Sequence, residues 1–368
     1  METNTSFTAH SLGSSTLTNR IVMAPMTRSR AIKNKANELM ATYYSQRAGA
    51  GLIITEGVSP SPNGLGYARI PGIFSQEQVQ SWKQVTHAVH ANGGKIFVQL
   101  MHTGRVSHAN NLPEGGRVVA PSSILAQGQM WTDQEGLKEL PIPQELTSDE
   151  LQATKEEYIQ SAINAIEAGF DGVELHGANG YLLEQFLSPH SNKRTDHYGG
   201  SIENRTRFVL EIARGAAAAI GKDKVGIRLS PYGVFNDMPH YPEIDATYTF
   251  LAEQFNDIGM AYIHLVDHSA GGAPEVPIHI KKTIRTKFKN TLILSGGYDF
   301  TKAEQDLSTG FADLVAFGKP FISNPDLVYR FRKNLPVNVK LDAGTFYTPG
   351  DKGYIDYPAF KEEAVNIF

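Results

Sequence analysis

The chain of 368 residues contains no cysteine. That excludes disulfides, thiolate metal sites, iron–sulfur clusters and a cysteine nucleophile. Any redox chemistry must therefore come from a bound cofactor. No run approaches the roughly 18 consecutive apolar residues of a membrane span, and the first twenty residues hold no apolar core. Neither a membrane association nor a secretory signal is expected, and the chain reads as cytoplasmic. An excess of one charge is also missing: 34 basic residues face 38 acidic ones, for a formal net charge of −4. A nucleic-acid binder would usually be basic. No early GxGxxG turn marks an open dinucleotide-binding sheet. No repeat or linker divides the chain, so 1–368 reads as one domain.

What is present is a rhythm. Short apolar, β-branched runs occur at 21–26, 52–55, 95–100, 172–176, 225–230, 262–266, 291–294 and 313–317. Runs apolar throughout are expected of parallel strands buried on both faces. Amphipathic stretches separate most of them, and three open with capping-box pairs: Ser75 with Gln78, Thr147 with Glu150, and Thr301 with Glu304. Eight strand–helix units predict a (β/α)8 TIM barrel. Three segments fall outside the repeat. Residues 1–20 read as a β-hairpin lid over the barrel floor, 103–147 as a Gly- and Pro-rich excursion over the mouth, and 336–368 as a tail packed back on the barrel.

Barrel enzymes place their chemistry at the C-terminal strand ends. The last two strands deliver Ser295, Gly296 and Gly297, then Phe317, Gly318 and Lys319. Glycines there let backbone N–H groups approach a phosphate, and a lysine adds counter-charge; ordinary turn glycines are the alternative. Arg228 lies inside the apolar run VGIRLS. It is either a structural ion pair or a cation facing an electron-rich ring, with Gln99 as a neutral partner on another strand. The sharpest local signal is His176-Gly-Ala-Asn179-Gly-Tyr181. His and Asn can donate to one carbonyl oxygen and draw charge from a conjugated alkene; a nearby tyrosine can supply the proton.

These residues resemble the Old Yellow Enzyme family, in its bacterial ene-reductase, nitroester reductase and N-ethylmaleimide reductase branch. The resemblance runs through NRIVMAPMTR (19–28), GLIITEG (51–57), GYARIPGI (66–73), FVQLMHTGR (97–105), APSSI (120–124), the continuous block 169–208 and AFGKPFISNPDL (316–327). It implies an FMN-containing barrel that takes hydride from NADPH or NADH and passes it to an activated C=C bond by a ping-pong route. Enones, nitroalkenes, maleimides and nitrate esters are the implied acceptors. It also implies roles. Ala24, Pro25, Met26, Thr27, Gly57, Gln99 and Arg228 would surround the flavin ring. Ser295, Gly296, Gly297, Phe317, Gly318 and Lys319 would hold its tail and phosphate. His176 and Asn179 would clamp the substrate carbonyl, Tyr181 would be the proton donor, and Tyr67, Met101 and Tyr347 would wall the substrate pocket.

The chain departs from the pattern at Met101, where many relatives carry Trp, and at Lys319, where Arg is common. Asn179 matches the His/Asn version of the site. Partners are expected to be a small acceptor and a nicotinamide, with no nucleic acid, no membrane and no metal, for a monomer or homodimer. Two rival readings remain at this point. Glu56, His102, Glu174, His176 and His264 could serve a metal-dependent barrel hydrolase or aldolase, and the barrel could bind flavin without catalysing anything.

Overall fold

The computed structural model describes residues 4–360. Strands His10–Leu12 (β1) and Ser15–Leu17 (β2) pair as an antiparallel hairpin. Ile21–Met23 (β3), Leu52–Val58 (β4) and Ile96–Leu100 (β5) are the first three barrel strands. The excursion then makes two small pairs of its own. Val119–Ala120 (β6) runs parallel to Gln144–Glu145 (β9), and Gln129–Thr132 (β7) forms a hairpin with Gly136–Glu139 (β8). Gly172–Gly177 (β10), Val225–Leu229 (β11), Tyr262–Val266 (β12), Thr291–Ser295 (β13) and Leu314–Phe317 (β14) complete the barrel. It closes in the order β10-β11-β12-β13-β14-β3-β4-β5, every pairing parallel. All eight apolar runs are barrel strands. Two have ends that differ from the run by more than one residue. β3 stops at Met23, ahead of Ala24-Pro25, where proline has no N–H for the ladder. β4 runs on to Val58 across an irregular register between Ile54 and Gly57.

The helices are Glu38–Ser45 (α1), Gln76–Ala91 (α2), Ser148–Glu167 (α3), Leu182–Leu187 (α4), Ile202–Ile220 (α5), Ile244–Ile258 (α6), Ile278–Lys287 (α7), Phe300–Ser308 (α8), Lys319–Ser323 (α9) and Leu327–Arg332 (α10). Ser75 with Gln78 and Thr147 with Glu150 close full capping boxes on α2 and α3. The third expected box is not formed. Asp299 caps α8 by accepting from the Lys302 N–H. Glu304 instead accepts from the backbone of Thr5 and Ser6 and from the Ser6 hydroxyl. A carboxylate with three distant donors has no reason to turn back to its own helix start.

The barrel interior has two levels. At the lower one, Val22, Leu52, Phe97, Tyr262, Ile293 and Leu314 form an apolar cluster with Leu12 and Leu17 of the hairpin. Gly226 makes this possible, because a Cβ there would come within 2.2 Å of the Tyr262 ring. The hairpin thus plugs one end. At the other, the excursion packs Val106, Met130 and Leu140 with Tyr181, Leu65 and Met101. The tail is tied down by arginines. Arg28 donates to the carbonyls of Phe346 and Gly353, and Arg30 to those of Thr345 and Phe346. Tyr354 is fully buried and stacks on Tyr43 at 4.1 Å. Residues 361–368 of the expected tail lie outside the described residues, as do 1–3 of the expected lid. Among the described residues no helix is long and apolar enough to cross a membrane.

Candidate functional site

One cavity of about 870 Å³ opens at the C-terminal ends of the strands. Pro25, Thr27, Tyr67, Gln99, Met101, His176, Asn179, Tyr181, Arg228 and Tyr347 all line it. Ten residues singled out from the sequence thus meet in one place. The strand register explains the floor. His176 on β10 is level with Arg228 on β11, and Arg228 with His264 on β12; Glu174 is level with Gln99 on β5. Residues two apart on a strand share a face, so Glu174 and His176 point the same way.

The floor is a linked set of polar groups. Gln99 donates to Glu174 Oε1 at 2.7 Å, and His264 Nδ1 lies 2.8 Å from Glu174 Oε2. Burial holds His264 below the usual histidine value despite Glu174. Arg228 is 7 % exposed, its Nε has no hydrogen-bond partner, and no carboxylate among the described residues forms an ion pair with it. Burial lowers its pKa, and the charge of Glu174 opposes that. A guanidinium so placed is poised for an electron-rich ligand group.

Beside the floor stand three groups, one at the end of β10 and two on the turn that follows it. Burial, reinforced by Arg228, His264 and His268, holds His176 well below its ordinary pKa, so the ring is neutral; its Nδ1 is unpartnered. His268 Nε2 lies 2.7 Å from Asn179 Oδ1. His268 is itself held low by burial and Arg228. With its proton on Nε2 it donates to Oδ1, which leaves the Asn179 amide N–H groups free to donate. Tyr181 shares a 2.9 Å hydroxyl contact with Tyr67, and its ring meets His176 edge-on at 4.9 Å. Burial first, then Tyr67, pushes the Tyr181 phenol well above 10. It therefore keeps its proton at neutral pH.

The turn that carries Asn179 is fixed from behind. Asn179 itself sits at φ +61°, its N–H donates to Ser230 Oγ, and its carbonyl accepts from Asn236. The Gly180 N–H donates to Glu184 Oε2, while Glu184 Oε1 accepts from Ser230 and Tyr248. Burial raises Glu184 to about 7 against these donors.

Other expected site residues lie outside the cavity lining. Gly57 backs onto Met101, where a Cβ would be 2.4 Å from its sulfur. The Ser295 hydroxyl is 3.1 Å from His264 Nε2 and donates to the Leu265 carbonyl. Ala24 belongs to the apolar interior cluster. Met26 packs near Gly318, Gly296 and Gly297 follow the end of β13, and Phe317 ends the adjoining β14, with Lys319 just past it. Gly296 has φ +110°, and a Cβ there would lie 1.8 Å from the Asp267 carbonyl, so only glycine fits. The metal candidates are not gathered. Glu56 is turned to Tyr44, His102 Nδ1 accepts from the Gly104 N–H, and no cluster of three metal-ligating residues exists among the described ones. Sequence reasoning missed His268, Arg69, Trp131 and Phe235. His268 could have been suspected from its place just past a strand end; nothing local marks the others.

The family of NADH:flavin oxidoreductases and NADH oxidases matches residues 7–338. A 12-oxophytodienoate reductase of Oryza sativa subsp. japonica is 41% identical over 360 residues, covering 93% of this chain and 91% of that protein. Morphinone reductase, also solved in complex with tetrahydroNAD, superposes with a TM-score of 0.93 at 43% identity and covers 96% of each chain. The Old Yellow Enzyme homologue of Zymomonas mobilis gives a TM-score of 0.91 at 39% identity, covering 96% of this chain and 99% of that one. With that match and this barrel, the chain belongs to the NADH:flavin oxidoreductase family, the Old Yellow Enzyme family, and is an NAD(P)H-dependent flavin oxidoreductase.

Proposed function

We propose that this chain reduces the C=C bond of an α,β-unsaturated carbonyl compound, nitroalkene or maleimide. The observation that carries the proposal is the neutral His176, the Asn179 amide and the protonated Tyr181 at one cavity. The names of the relatives, a 12-oxophytodienoate reductase and morphinone reductase among them, support it.

The residues present suit FMN. Arg228, with its unpartnered Nε, would hold an electron-rich part of the ring, with Thr27 and Gln99 lining the same cavity. The glycine corner at Gly296, Gly297 and Gly318, with exposed Lys319, suits a phosphate. The flavin, when bound, supplies two-electron chemistry that no side chain here can provide. The protein does the rest. His176 and Asn179 donate to the acceptor's carbonyl oxygen, so negative charge developing there is stabilised and the β-carbon becomes electrophilic. Tyr181 gives its proton to the α-carbon, and Tyr67 keeps the phenol aimed. A nicotinamide donor uses the same cavity first and leaves before the acceptor enters.

Tyr181→Phe tests the assignment. Stopped-flow traces should show reduction of the bound flavin by NADH or NADPH within about threefold of wild type. The alkene half-reaction should slow by roughly 100-fold or more, the usual worth of a positioned acid. Undiminished alkene reduction would remove Tyr181 from the mechanism.

A further inference from the structure

Four of the large apolar side chains left exposed by the fold surround a single opening. Trp131 is 53% exposed, Leu137 59%, Phe235 53% and Tyr347 60%, and all four line the cavity described above. Scattered exposed apolar groups need no explanation, but a ring of them at one mouth marks a ligand contact. They come from three separate stretches of chain: the β7–β8 hairpin, the loop after β11, and the C-terminal tail.

The ring is held in shape. Trp131 and Leu137 are direct cross-strand partners. The Trp131 indole donates to Asp133 Oδ1 at 3.2 Å. Arg69 ties the stretches together: it bonds Asp133 of the hairpin, donates to the Tyr347 carbonyl at 2.7 Å and to the Ser29 carbonyl at 3.1 Å. Phe235 stacks on His268 at 6.0 Å and 25°, and His268 orients Asn179. The collar is thus fixed to the groups that hold the acceptor's carbonyl.

Resting on the ene-reductase reading, we infer that this collar binds the non-reacting part of the acceptor, and that the preferred acceptors carry a bulky apolar portion, fused rings or an aryl group, on the activated alkene. The chemistry divides by depth: polar groups sit on the floor, and apolar faces at the rim. A small enone would fill only the floor and leave the collar wet. A large one would bury it, and that remote contact holds the alkene in place. The adenosine half of the nicotinamide donor is the competing occupant. It brings a pyrophosphate, yet the cation at the rim, Arg69, is already neutralised by Asp133.

Maleimides give a clean comparison, because the alkene stays constant and the chain has no thiol for them to alkylate. With FMN-loaded full-length protein, N-(1-naphthyl)maleimide should have a kcat/KM roughly tenfold above N-methylmaleimide. Trp131→Ala and Leu137→Ala should each erase most of that gain through KM. Both should leave N-methylmaleimide turnover and flavin reduction by NADH or NADPH within about twofold. Arg69→Met should raise KM for the naphthyl compound at constant kcat, and Arg69→Lys, which can keep Asp133, should restore part of it. Equal efficiency for the two maleimides in the wild type would overturn the collar proposal alone. So would variants that weaken both acceptors alike, or that weaken the donor half-reaction instead. Failure of the wild type to reduce either maleimide would sink the ene-reductase reading, and the collar proposal with it.

Discussion

The lower and upper levels of the barrel interior use the same strands for opposite ends. Phe97 and Tyr262 fill the lower level; two residues further along the same strands stand Gln99 and His264. On β11 the step runs from Gly226, kept small for Tyr262, to Arg228. Two residues is one repeat of the pleat, so each pair faces the same axis. Below, apolar side chains close on the hairpin and exclude water. Above, His176 Nδ1 and Arg228 Nε are buried without partners. An unpartnered buried polar atom costs stability, and the site accepts that cost to keep its donors free.

Exchanging the character of the upper level tests this contrast most strongly. Arg228→Met should cut alkene reduction about 100-fold or more, since a preorganised charge is lost, and should lower the flavin content. The flavin-free protein should nevertheless melt at the same temperature or higher, because a desolvated, unpaired cation is gone. A clear drop in its melting temperature would reassign Arg228 to a structural role. At the lower level the opposite outcome is expected. Leu12→Ala leaves a hole under the barrel and should cost about 2–5 kcal/mol in denaturant unfolding, with turnover per bound flavin unchanged. A smaller effect belongs to His102, just above β5. Burial holds its pKa down at about 3, against an ordinary 6.5. Between those values the unfolded chain binds a proton that the folded chain refuses, so stability is full above pH 6.5 and falls as the solution is acidified. The slope is at most about 1.4 kcal/mol per pH unit. His102→Asn should flatten that part of the profile, read as urea midpoints at pH 4, 5 and 6. An unchanged slope would mean that other groups set the acid limit.

How far the sequence could be read depended on the range of the interactions. The barrel strands were visible because parallel strands buried on both faces must be apolar throughout. The caps at Ser75 and Thr147 were visible because their partners lie three residues away. Thr301 and Glu304 showed the same spacing and misled, because Glu304 is taken by Thr5 and Ser6, nearly 300 positions distant. The site divides in the same way. His176, Asn179 and Tyr181 lie close together in the sequence and could be singled out together. His268, which orients Asn179, and Arg69, which joins the rim segments, act on residues far along the chain.

By itself the amino-acid order determined the repeating strand–helix units, the grouping of His176, Asn179 and Tyr181 at and just after the end of β10 and the fact that any redox chemistry must use a bound group, since each follows from local pattern or from composition. Only the tertiary structure decided which donors are left free and what rings the mouth. Those properties depend on closure of the barrel, which brings β10 beside β5 and carries the tail over α1. No local pattern records which distant side chain will use up a given hydrogen bond.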